Sequence, residues 1–397
     1  MSDKKTFLLM NKNVVVLSFC IIQDIFSENY IVESIENKFL IPRNLRDLQF
    51  WISERYILNA RYSVGRLLEL SGISDIDIGD FIEETNCISL KDTYWVKRYN
   101  STKTWKSVSP YENPFNEVIS DYSFWGLVTG SKITGSPDFS TDGRFPKCWK
   151  RNVNDIYLYK AGTTGPGLGS RGNEPYSEVY ACKIAEKLGI DAVKYTTDFY
   201  KGRLVSKCKC VTNEKIGLIL YKDLHYMEEC NFSKLLQNAD LASKEQIRDM
   251  LLLDYVTCNV DRHYGNIGVF IENDTNIILG FAPLFDHNMS CLPYCMENDT
   301  EDYISNRCAK DGRTWKELYC LIDSPYTREK LELLLDSSFE IGERRDKIVS
   351  KMVRHQVEAA LKVAKSVNEK IFRNSVQLEN AICSGKMTLK YRTLQVF

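Results

Sequence analysis

Asn259-Val260-Asp261-Arg262-His263-Tyr264-Gly265-Asn266-Ile267-Gly268, and after a short apolar hairpin Pro283-Leu284-Phe285-Asp286, is the stretch from which the fold is read. An acid, a carboxamide five residues on and a second acid beyond a hairpin are the groups a phosphoryl-transfer site needs. The first acid accepts or orients an attacking hydroxyl. The carboxamide and the second acid supply hard oxygen atoms to a Mg²⁺ ion that bridges nucleotide phosphates.

Asp261 and Asn266 stand at the two ends of one tight loop, and they can face a common point only if the backbone turns between them; Gly265 is expected to permit that turn. Ile267 to Ile271 and Ile277 to Phe281 read as two strands around Glu272-Asn273-Asp274-Thr275-Asn276. The hairpin returns the chain so that Asp286 emerges beside the loop it left.

Asp261-Arg262-His263-Tyr264-Gly265-Asn266 followed by Phe285-Asp286 resembles the catalytic and metal-binding loops of HipA-like kinases, and the phosphoinositide kinases share the Asp-Arg-His wording. Asp-x-x-x-x-Asn alone fits a solvated loop equally well, so order and context decide. Upstream, the polar turn from Pro137 to Lys147 precedes Cys148-Trp149-Lys150-Arg151 and then Ile156-Tyr157-Leu158-Tyr159-Lys160, a hairpin and a strand ending in lysine. Such a turn can lay backbone N–H groups and hydroxyls over phosphates, and a strand-end lysine can neutralise them. Ser140 to Lys147 resembles the phosphate-binding loop of that family, which marks Ser140, Thr141 and Gly143, and Lys160 resembles its nucleotide lysine. The family can modify this loop, which makes Ser140 and Thr141 candidates for self-phosphorylation.

Gly162 to Gly172 holds five glycines and reads as a connector or flap, with a second phosphate cradle as the alternative. Pro175 can open a helix in which Tyr176, Tyr180, Ile184 and Leu188 recur every four residues, closed by Gly189. Glu178 lies off that stripe. By resemblance it pairs with Lys160, while Glu174 is the weaker candidate because it precedes the expected helix. Lys194 to Tyr200, Arg203 to Val211 and Ile216 to Tyr221 read as strands or linkers, with Cys208 to Val211, Cys210 at its centre, as the segment crossing between lobes beside the adenine. Ser243-Lys244-Glu245-Gln246 has the capping-box pattern and opens a helix through Ile247, Met250, Leu251 and Tyr255 that delivers the chain to Asp261. Beyond Asp286 the chain reads as loop to about Gly312 and as helix from Trp315 onward.

The first hundred or so residues read as a separate module: a strand near Val14 paired with one near Ile31, a helix over Leu45 to Glu54, and another near Ser63 to Ser71. Tyr94-Trp95-Val96-Lys97 and Trp105 are read as core rather than as a recognition surface. The apolar run Asn13 to Ile22 is too short to span a bilayer and lacks a small-residue cleavage site. Lys plus Arg at 52 against Asp plus Glu at 53 leaves a net charge of −1, which gives no global pull toward nucleic acid or an anionic membrane. Thirteen scattered cysteines point to a reducing, cytoplasmic setting and not to a disulfide framework.

The expectation is therefore an α+β, two-lobed protein-kinase-like fold with an additional N-terminal α/β module. It divides into a module at 1–115, an upper lobe at 116–211 and a mainly helical lower lobe at 212–397. The resemblance implies ATP and Mg²⁺ as cofactors, Asp261 as base, Asn266 and Asp286 on the metal, and His263 on the transferring phosphate or bracing the loop. A protein hydroxyl is the expected acceptor. A lipid or small-molecule acceptor, and a nucleotide-binding pseudokinase or interaction module, remain as alternatives.

Overall fold

The computed structural model describes residues 3–23, 28–55, 78–115, 118–125, 136–141, 145–153, 155–163, 172–224 and 229–383. The expected helix near Ser63 to Ser71, Gly143 and most of the Gly162 to Gly172 run lie outside these residues.

Three antiparallel sheets organise the described residues. The first has the order β3-β2-β1-β4, from β1 (Asp3–Asn11), β2 (Val14–Gln23), β3 (Glu28–Ile35) and β4 (Tyr94–Arg98). The run Asn13 to Ile22 is thus a strand. Phe7, Leu9, Val16 and Phe19 pack toward α1 (Leu48–Ser53) and α2 (Ile78–Thr85), while Met10, Trp95 and Trp105 form a second cluster. Trp95 is fully buried, so the aromatic segment is core. The connector expected after Lys103 contains a helical turn, α3 (Trp105–Val108), whose Trp105 Nε1 donates to Glu214 Oε1 at 2.8 Å.

A helix, α4 (Val118–Trp125), covers one face of the second sheet, whose order is β5-β6-β8-β7. Its strands are β5 (Lys147–Asn152), β6 (Asp155–Ala161), β7 (Tyr195–Tyr200) and β8 (Arg203–Lys209). Between β6 and β7 runs α5 (Glu174–Lys187), with Pro175 in its first turn and Gly189, at φ +63°, just beyond its end. The third sheet, β9-β10-β11, joins β9 (Ile216–Leu220) to the expected hairpin of β10 (Gly268–Glu272) and β11 (Ile277–Phe281). Residues 210–215 therefore cross from one sheet to the next.

Below lie α6 (Tyr221–Leu224), α7 (Phe232–Asn238), α8 (Leu241–Thr257), α9 (Thr300–Ser305), α10 (Trp315–Ile322), α11 (Pro325–Glu332) and α12 (Asp346–Cys383). The largest core joins α5, α8, α10 and α12 through Tyr180, Ile184, Leu251, Tyr255, Tyr319 and Met352. Two expectations are corrected here. α8 begins ahead of Ser243 and is capped by Asp240, whose side chain accepts from the Ser243 N–H at 2.9 Å; a carboxylate at that position outcompetes the hydroxyl. The stretch from Asp286 to Gly312 is not all loop, because α9 interrupts it and buries Ile304. Among the described residues no helix is long and apolar enough to cross a membrane.

The turn of the β10–β11 hairpin is solvated only at Asp274 and Thr275, while Asn273 and Asn276 are buried. The first module closes over it: Asn11 Nδ2 donates to Asn273 O at 2.7 Å, Arg43 Nε to Asn276 O at 2.6 Å, and Asn276 Nδ2 to Ile41 O at 2.6 Å. Asn276 is buried and sits at φ +61°, where asparagine is among the few tolerated residues. Asn276→Ala removes the donor to Ile41 and keeps the left-handed backbone, so chemical denaturation should register a loss of about 2–4 kcal/mol. A change within experimental error would mean that this contact does not hold the module down.

Candidate active site

The site is built on the end of α8. Its last turn is closed by Cys258 in the left-handed region, φ +50°, which lets Asn259 turn back. The Asn259 side chain donates to Asp254 Oδ1 at 2.8 Å and accepts from the Asp261 N–H at 3.0 Å, so Asp261 is set by a buried helix residue. Arg262 is 1% exposed. It donates to both carboxylate oxygens of Asp254 at 2.9 and 3.2 Å, to Asn266 O at 2.7 Å and to Phe285 O at 3.1 Å, and faces His287 Nδ1 at 3.2 Å. One guanidinium thus ties the helix, the Asp261 loop and the Asp286 loop together. Because arginine can only donate, His287 Nδ1 is the acceptor in this contact. Burial, with the Arg262 charge beside it, pushes this imidazole down to about 3.

Across the loop, Asn266 Nδ2 donates to Asp261 O at 3.0 Å, which commits the amide nitrogen and leaves its oxygen for a cation. Gly265 serves close approach more than freedom of φ: a Cβ there would come within 2.8 Å of the His263 ring, whose Nδ1 accepts from the Gly265 N–H at 3.0 Å. Burial lowers the His263 pKa, opposed by the Asp261 charge and reinforced by that of Lys310. His263 braces its own loop in this structure.

Asp286 lies at φ +59°, a conformation that costs a non-glycine residue about 1–2 kcal/mol. It is held there by both ends: its N–H donates to the Tyr195 hydroxyl at 3.4 Å, and its Oδ1 takes the Lys160 ammonium. Lys160 at the end of β6 also donates to Glu178 Oε1 at 2.8 Å, and Glu178 Oε2 accepts from the His287 N–H at 2.7 Å. The ammonium and Glu178 are buried. Desolvation opposes the charged lysine, yet Asp286 and Glu178 together raise its pKa above the ordinary value, so it stays protonated. For Asp286 desolvation likewise favours the neutral acid, but the Lys160 and Lys147 charges hold the carboxyl well below the usual range.

Glu174 does not precede the helix; it is buried in the first turn of α5. Its carboxylate accepts from the Thr163 N–H at 3.1 Å and the Tyr294 hydroxyl at 2.8 Å, so it holds a loop and not Lys160.

A cavity of about 610 Å³ opens between the sheets and the lower helices, within the range of small-molecule sites. Ser140, Thr141, Lys160, Cys210, Asp261, His263, Asn266 and Asp286 all line it, and Glu178 stands behind Lys160. Six lysines and two aspartates contribute to its wall, a balance suited to a polyanion. The Cys210 N–H is already spent on Ile156 O at 2.8 Å. Ser140 Oγ is buried and donates to Ser89 Oγ at 2.9 Å.

No family model matches the chain, and no curated protein matches it in sequence. Solved structures do. A chain of the Shewanella oneidensis MR-1 toxin–antitoxin complex of HipA, HipB and operator DNA superposes with a TM-score of 0.50 at 12% identity, covering 90% of this chain and 97% of that one. The chain has a HipA-like kinase fold. The Helicobacter pylori proinflammatory kinase CtkA matches with a TM-score of 0.41 at 18% identity, over 56% of this chain and 95% of that one. Coverage of 90% reaches into residues 1–115, so the fold likeness is not confined to the stretch from Pro137 to Asp286 that carries the motifs.

Sequence reasoning missed several wall residues. Lys147, which closes the stretch resembling a phosphate loop, was not singled out as a cavity lysine; it pairs directly with Lys160 across β5 and β6, which puts both ammonium groups on one face. Ser89 and Lys91 come from the first module, where Lys91 O accepts from the Leu218 N–H at 2.6 Å, and nothing in their local sequence announces it. Arg262 was legible as a motif letter but not as a buried hub. Arg262→Met would strand the Asp254 carboxylate without its partner, so equilibrium unfolding should lose about 3–5 kcal/mol. A loss below about 1 kcal/mol would contradict the hub.

Proposed function

We propose that this chain is an ATP- and Mg²⁺-dependent kinase that phosphorylates a hydroxyl group, most simply a serine or threonine of a protein. The observation that carries the reading is the convergence of Asp261, Asn266, Asp286 and the Glu178-bound Lys160 on one lysine-rich cavity. The HipA-like fold supports it at the level of architecture.

The residues present fit the implied groups. Asn266 offers its amide oxygen, and Asp286 retains a second carboxylate oxygen beside the one held by Lys160. The γ-phosphoryl group would come from ATP, and a Mg²⁺ ion held by Asn266 and Asp286 would draw negative charge from it. Lys160 and Lys147 neutralise phosphate oxygens; Glu178 keeps Lys160 aimed. Asp261, partly exposed at the cavity mouth, receives the proton of the acceptor hydroxyl. The hydroxyl oxygen bonds the γ-phosphorus as the bond from phosphorus to the bridging oxygen breaks, its electron pair departing with ADP.

Ser140 and Thr141 are hydroxyls on the same wall, and in this reading one of them is also a self-phosphorylation site. A phosphate there would place negative charge where the nucleotide phosphates belong and lower activity. The catalytic groups are shared by kinases of different acceptors, so the protein acceptor rests on the fold likeness alone.

Transfer from γ-radiolabelled ATP to the chain itself and to casein tests the reading. Wild type should label in the presence of Mg²⁺ and lose labelling on chelation, and Asp261→Asn should lose about 10²–10⁴-fold in rate while still binding nucleotide. Nucleotide binding without transfer in the wild type, to either acceptor, would leave a scaffold in place of an enzyme.

A further inference from the structure

We propose that Lys310, supplied by the loop that follows Asp286, is a positioning residue of the transfer step that acts through Asp261; the assignment rests on the kinase reading above. Lys310 Nζ donates to Asp261 Oδ1 at 2.8 Å and lines the same cavity. This single contact uses one carboxylate oxygen and leaves the other for the acceptor hydroxyl.

The lysine is presented by a built turn. Cys308 and Thr314 form an antiparallel bridge, the Ala309 N–H donates to Arg313 O at 2.8 Å, and the Gly312 N–H donates to Ala309 O at 2.9 Å. Gly312 takes φ +84°, which a side chain would resist. Arg313 Nη2 then donates to Ser233 Oγ at 2.7 Å, fastening the turn to the first turn of α7. Lys310 reaches Asp261 across 49 residues of sequence from an anchored element.

Lys310 is the cation in contact with the Asp261 carboxylate. His263, two residues from Asp261 on the same loop, spends its Nδ1 on the Gly265 N–H. Lys160 is buried behind Asp286. Of these three, Lys310 is the charge that stands directly on the base. It fixes the direction of the carboxylate and offsets negative charge as the acceptor oxygen forms its bond to phosphorus. The pair is also poorly suited to a merely structural role: Lys310 and Asp261 side chains are 47% and 36% exposed, and ion pairs at such exposure add little to stability.

Steady-state transfer from γ-radiolabelled ATP to casein, with thermal melting recorded in parallel, tests this. Lys310→Met should lower kcat by roughly ten- to a hundred-fold with the KM for ATP within about two-fold and the melting midpoint unchanged. Lys310→Arg should recover most of the loss, and Lys310→Met should add nothing in an Asp261→Asn background. Wild-type kcat in Lys310→Met, a further loss in the Asp261→Asn background, or a loss of kcat matched by a lowered melting midpoint would each overturn the assignment while leaving the kinase reading standing. Absence of transfer by the wild type would overturn the kinase reading, and the assignment with it.

Discussion

A lysine ammonium withdrawn from water and gripped by two carboxylates is the constraint on which the rest of this structure depends. Lys160 stands at a strand end, Glu178 on a helix and Asp286 after a hairpin, and the three meet only if the second sheet, α5 and the third sheet are correctly assembled. Burying a charge costs several kcal/mol per ion, and only close, well-aligned partners offset it. The triad is thus a weak source of net stability and a strong source of specificity: a misplaced α5 or a slipped hairpin would leave an ion buried alone. The positive φ of Asp286 and the N–H that His287 gives to Glu178 are consequences of closing that triad.

Arg262 has the complementary role, deeper in the lower lobe. Where Lys160 joins the upper elements to Asp286, Arg262 joins α8 and the Asp261 loop to the carbonyl of Phe285, the residue before it. The two acidic side chains that the proposed chemistry needs are held in relation to each other through this guanidinium and through backbone hydrogen bonds. The first module adds a third restraint, since its contacts fall on the hairpin turn between Asn266 and Asp286 and, through Lys91 O, on β9. A Cβ on Gly217 would lie within 2.9 Å of Lys91 O, so this contact requires a glycine in the strand.

Much of the site was legible because its components are local. The hairpin after Asn266 declared itself through two short apolar runs around a polar turn, and Lys160 and Glu178 through a strand end and a helix opened by proline. The fold class followed from their order. What stayed hidden was non-local. Asp240 and Ser243 both match a capping pattern, and only the structure decides which oxygen reaches the N–H. Lys91 and Lys310 carry no motif; they reach the cavity because distant segments pack there. The turn that Gly265 permits is legible from spacing, whereas the close approach of the His263 ring depends on a side-chain rotamer that spacing does not encode. The apolar run Asn13 to Ile22 does not alternate because β2 carries buried residues on both faces of its sheet.

The central claim is that one metal–nucleotide complex is held between Asn266, Asp286 and Lys160. A crystal structure of the wild-type chain with Mn²⁺ and a non-hydrolysable ATP analogue, with the metal located by its anomalous scattering, addresses it directly. The account predicts metal density about 2.0–2.2 Å from the Asn266 amide oxygen and an Asp286 carboxylate oxygen, with the phosphates beside Lys160. A nucleotide seated elsewhere, or a metal bound away from both side chains, would contradict it.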